Sequence, residues 1–167
     1  AVGTILFTLH FGKYQSLTGK RYCKILVNKS AILGVVVSLV SFLLLAGNIG
    51  GDIASTFEPI MLQLAFESKG GNALLVALSG FVLLVITNRI VPRASFIPSL
   101  FGAALVLFSF AMIGHSTKEG LATQSLLLIH LVGIAYWLGS LMPFRWMCMV
   151  DSDCLLYTSD AADDGLS

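Results

Sequence analysis

The stretch Gly120–Phe144 reads GLATQSLLLIHLVGIAYWLGSLMPF and carries no Asp, Glu, Lys or Arg. At 1.5 Å per residue it is long enough, as a helix, to cross a hydrocarbon core of ~30 Å. It also contains His130. An ionisable side chain inside such a stretch is expensive to bury and by default marks a functional site.

Three more stretches share this property. Ser30 to Gly51, Gly70 to Asn88 and Ala94 to Thr117 are also free of charged residues, and the four run from 19 to 25 residues. Apolar residues make up 56% of the chain and charged residues 11%, where an ordinary soluble domain has roughly 25% charged. Ala1 to Gly12 is apolar but too short to cross. With neither an initiator Met nor a basic n-region it does not read as a signal peptide, and it is expected to be the inner end of a first span whose start lies upstream.

The charges alternate with the stretches. Lys13, Lys20, Arg21, Lys24 and Lys29 precede the second span, Arg89 and Arg93 follow the third, and Arg145 follows the fifth. The other connections carry Asp52, Glu58, Glu67 and Lys69, then Lys118 and Glu119. Eight of the ten basic residues thus fall on one side, and the positive-inside rule makes that side cytoplasmic. The predicted fold is an all-α polytopic transmembrane bundle of about five spans, the first truncated. These basic loops read as topology signals, not as a nucleic-acid surface.

Finer features fit the bundle. Span two is expected from about Ser30 to Gly47-Asn48. The segment Ile53 to Phe66 is too short to span and is expected to lie at the outer interface as a helix, with Ser55 or Thr56 as cap and Pro59 in its first turn. Ser68 to Asn72 is expected to be a turn. Gly80, Gly102 and Ala103-Ala104 are small enough for close helix contact. Residues 1–150 form the predicted transmembrane domain. Residues 151–167 change abruptly to an acidic, Ser- and Ala-rich composition and are expected to be a non-native or disordered tail, with 154–163 resembling translated adapter read-through. The chain is then expected to be a piece of a longer one.

Under this topology His115 ends span four at the outer face, and His130 lies about eight residues into span five, ~12 Å deeper. The short connection makes the two spans antiparallel neighbours, so both imidazoles belong to the outer half of the membrane. Met112 is three residues before His115 on the same helix face. Thioether and imidazole suit a soft ion such as Cu(I), and Met61 on the outer helix is a further sulfur candidate. The bland alternatives are a hydrogen-bonded packing role for His130, interfacial placement for His115 and His10, and gap filling by Met112 and Met61. Met147-Cys148-Met149 sits at the opposite membrane face and is set aside. The three cysteines suggest neither a zinc site nor a disulfide framework.

Gly114-His115-Ser116, Ile129-His130-Leu131 and Trp137-Leu138-Gly139-Ser140-Leu141-Met142-Pro143 together resemble the copper resistance D (CopD) family of bacterial inner-membrane proteins. Gly51-Asp52 to Glu58-Pro59 and Glu67 to Gly71 look like that family's outer connecting segment. The resemblance covers roughly Ser30 to Arg145. It implies copper ion handling at the inner membrane, as Cu(I) or Cu(II), through His115 and His130, with uptake from the periplasm and a periplasmic copper-binding partner. Met112 and Met61 are added from ligand chemistry. Nothing in copper transfer requires bond-making, so no enzyme is expected. The runner-up is a bis-histidine haem electron carrier, which needs both histidines at one depth, whereas His115 is expected to be shallower.

Overall fold

The computed structural model describes residues 1–90, 96–113 and 120–163. They form six α-helices: α1 Val2–Phe11, α2 Leu17–Gly50, α3 Pro59–Glu67, α4 Lys69–Ile90, α5 Phe96–Ala111 and α6 Leu121–Asp163, with one 3-10 turn at Ala54–Phe57 before α3. No strand occurs among the described residues. Pro92, Arg93 and the segment 114–119, which contains His115, Lys118 and Glu119, lie outside the described residues.

The chain is an all-α membrane protein. α2, α4 and α6 are long and apolar enough to cross a bilayer, while α1 and α5 are apolar but shorter. Leu33, Val36, Val37, Leu39, Val40 and Leu44 on α2 are all exposed, a contiguous apolar face that suits lipid and not water. Helices are the structures that can carry a backbone through lipid as separate segments, because each satisfies its own N–H and C=O groups.

α2 begins well before the expected Ser30. Ser16 adopts an extended conformation and its Oγ accepts a hydrogen bond from the Gly19 N–H at 3.1 Å, so the helix nucleates there. Lys20, Arg21, Lys24 and Lys29 are consequently not loop residues but occupy the first turns of a 34-residue helix. Lys and Arg are good helix formers, and ~51 Å of helix exceeds the ~30 Å core, which leaves the basic turns beyond it. At the other end Gly51 takes φ 85°, and its N–H bonds the Gly47 carbonyl at 2.8 Å, a left-handed cap that only glycine adopts without strain.

The connection between α2 and α3 also differs in detail from expectation. Asp52 Oδ1 accepts from the Ser55 N–H at 2.7 Å and starts the 3-10 turn, while Ser55 and Thr56 are buried against Gly50 and Gly47 of α2. They are packing residues and not caps of α3. Pro59 does occupy the first turn of α3. Between α3 and α4 the expected turn shrinks to a bend at Ser68, whose Oγ donates to the Ala65 carbonyl and accepts from the Gly71 N–H. Gly71 abuts the Ala65 carbonyl oxygen, where a Cβ would collide.

Small residues set the helix contacts. A Cβ on Gly80 would lie 2.7 Å from the Gly102 carbonyl oxygen, and one on Gly102 would lie 3.0 Å from that of Gly80. α4 and α5 therefore touch backbone to backbone, as their small residues predict. Thr87 and Ser99 hydroxyls add a 3.3 Å hydrogen bond lower on the same pair. Phe81 of α4 lies over Gly34 of α2. The core joins Val2 and Ile5 to Val27, Ala31, Leu84, Ala103 and Val106. α6 meets α1 through Gly139 and Ala135 and is otherwise largely exposed. Its helix continues past Arg145 to Asp163, through the acidic segment. Tyr22 of α2 and Trp146 of α6 stack at 4.6 Å near the basic end, a position that suits an interfacial aromatic pair.

Candidate metal centre

His130 sits on α6 five residues before Ala135 and nine before Gly139, the two positions that touch α1. At ~100° per residue Gly139 lies about half a turn around the helix from His130. His130 is exposed, and so are Leu126 one turn earlier and Trp137 two turns later on the same face. The face bearing the imidazole is thus turned away from the α1 seam. In a bilayer such a face needs another protein surface or a bound ion, because a lone imidazole is unfavourable in hydrocarbon.

Met112 lies just beyond α5. Its N–H bonds the Ser109 carbonyl at 3.3 Å, and its side chain is half-buried. Val106 of α5 and Ala135, Leu138 and Gly139 of α6 line one groove, and both Met112 and His130 lie beyond those residues on the side of the α5–α6 connection. Their faces differ, since Met112 is partly covered and His130 is not. His115, expected between them in sequence, lies outside the described residues.

Met61 is on α3, half-buried, with its Cγ near Gly50 at the end of α2. Ile113, Ser41 and Ala73 line one groove of about 420 Å³ between α5, α2 and α4. Met61 thus sits on a separate helix beside the end of α2, while Met112 and His130 lie toward the α5–α6 connection. His10 ends α1, exposed, with its ring edge-on to Phe11 at 4.8 Å. Among the described residues no three His, Cys, Asp or Glu side chains converge to hold a metal.

Residues 1–125 match the family model described as copper resistance protein D-like, N-terminal domain. The chain belongs to this family. The match begins upstream of Ser30, so α1 and the basic turns of α2 are part of the family domain, and it ends before His130 and Trp137. It makes the chain a copper-resistance-related membrane protein. No curated protein and no solved structure matches it.

One cluster escaped the sequence. Thr8, Lys20, Cys23, Lys24, Asn88 and Ser99 line a cavity of about 270 Å³ at the basic end. These residues come from four helices and share no motif, so only the packing reveals them. Cys23 is buried there, and its Sγ accepts a hydrogen bond from Gln15 Nε2 at 3.4 Å.

Proposed function

We propose that this chain binds copper and moves it inward across the bacterial inner membrane, with the Lys- and Arg-rich end cytoplasmic. Family membership supports the metal, and the seating of His130 on an exposed apolar face of α6, beside Leu126 and Trp137, carries the choice of residues. Copper is cargo here. His115 captures the ion with Met112 or Met61 as helpers, and His130 accepts it deeper. Sulfur and imidazole donors favour Cu(I) over hard cations and permit stepwise ligand exchange. No covalent bond is made, so the activity is transport and not catalysis. A periplasmic copper-binding protein is the natural donor at the outer face, and the lipid bilayer is the other partner.

The test is copper stoichiometry. The purified chain is loaded with Cu(I) under reductant, desalted and measured by elemental mass spectrometry. Copper retention that falls in His115→Ala and His130→Ala supports the proposal. A chain that retains no copper with both histidines intact, or that purifies red with a Soret band, overturns it.

A further inference from the structure

The cavity at the basic end lies between α1, α2, α4 and α5, and its features point to an anion. Lys20 and Lys24, one turn apart on α2, both line it. Lys20 also borders an adjoining hollow with Lys13. Asn88 contributes a buried Nδ2 that has no hydrogen-bond partner among the described residues. Thr8 and Ser99 bring hydroxyls, and no carboxylate is among the described lining residues. Ile5 and Val27 supply apolar walls.

Lys24 is half-buried, and none of Lys13, Lys20 and Lys24 forms an ion pair with a described residue. Asp52, Glu58 and Glu67 lie past the far end of α2. A partly desolvated ammonium beside an unsatisfied amide donor is costly unless an anion completes it. The cavity opens among apolar helices at the level where basic turns meet the membrane. Basic pockets between transmembrane helices at the cytoplasmic side are suited to anionic lipid headgroups.

We infer that this cavity binds the phosphate of an anionic phospholipid. Lys20 and Lys24 face its charge, Asn88 Nδ2 donates to its oxygens, and the glycerol and upper acyl chain lie against Ile5 and Val27. The inference rests on the basic end alone and is independent of the copper proposal. A phosphate also occurs free in solution, but an apolar-walled cavity between membrane helices favours the lipid source.

Native mass spectrometry of the full chain in detergent, with phosphatidylglycerol or phosphatidylcholine added, reads the site directly. The expected result is retention of phosphatidylglycerol over phosphatidylcholine. Retention should weaken about tenfold or more in Lys20→Gln/Lys24→Gln, and measurably in Asn88→Ala. Lys29→Gln, on a different face of α2, should leave it unchanged. Asn88→Ala removes no charge and serves if the double variant does not fold. Equal retention of the two lipids overturns the inference, as does equal loss in Lys29→Gln. Displacement of phosphatidylglycerol by inorganic phosphate at millimolar concentration also overturns it, by assigning the site to free phosphate.

Discussion

The Thr4 hydroxyl of α1 donates a hydrogen bond to the Gly139 carbonyl of α6 at 3.1 Å, across a seam where Gly3 and Gly139 lie backbone against backbone. This seam is where α6 meets α1, and it explains the glycine in Trp137-Leu138-Gly139: a side chain there would strike the α1 backbone. Gly139→Leu should separate the helices and lower the melting temperature in detergent, at an overpacking cost of about 1–3 kcal/mol. Thr4→Val keeps the shape and loses only the hydrogen bond, worth about 0.6 kcal/mol between membrane helices. Nearly equal melting temperatures for Gly139→Leu and wild type would refute the seam.

Glycines on the exposed side of the bundle provide the contrast. Gly80 faces the Gly102 backbone, whereas Gly133 has nothing near the place where its Cβ would be. Gly80→Val should destabilise clearly. Gly133→Ala should be neutral or gain up to about 1 kcal/mol from helix propensity. Thermal melts of the two variants side by side decide the matter.

His130→Ala should separate binding from folding. The side chain is exposed and faces away from α1, so stability should change by less than about 0.5 kcal/mol. Copper retention should nevertheless fall. A large drop in melting temperature would instead make His130 a packing residue.

The thiols should differ in reactivity. Cys148 is exposed and Cys23 is buried in the basic-end cavity. In a Cys154→Ser background, a maleimide should label Cys148 first, and Cys23 only after denaturation. Intact mass spectrometry during labelling, with Cys23→Ser as the control, reads the order.

Asp52 gives a pH dependence. Hydrogen bonds from Ser55, from its hydroxyl first and then its backbone N–H, hold the Asp52 carboxyl below its ordinary pKa. A depressed folded-state pKa means that the contribution to stability is present above the unfolded value and is lost as pH falls through the folded one. Melting temperature should therefore decline in the acidic range below about pH 4, and Asp52→Asn should flatten that part of the profile.

The membrane-spanning character of α2, α4 and α6 is legible in the sequence because charge-free runs follow directly from the cost of placing charge in lipid. Gly80 and Gly102 could be picked out as contact points by size alone. The start of α2 was missed, since a hydropathy boundary marks where a helix enters lipid and not where it begins. The Ser16 cap begins it 13 residues earlier than Ser30. The role of Ser55 and Thr56 is not legible locally, because they fill the space beside Gly50 and Gly47, which no local pattern reports.

At the candidate metal centre, residue type and topology singled out His115, His130, Met112 and Met61. Face and neighbours required coordinates: Met61 packs beside Gly50 at the end of α2, and His130 faces away from the α1 seam. The basic-end cavity is the extreme case, since Thr8, Lys24, Asn88 and Ser99 are distant in sequence. Membrane insertion depends on the composition of each segment and can be read along the chain. Which side chains meet depends on how rotated helices pack through their smallest residues, and that is decided only in three dimensions.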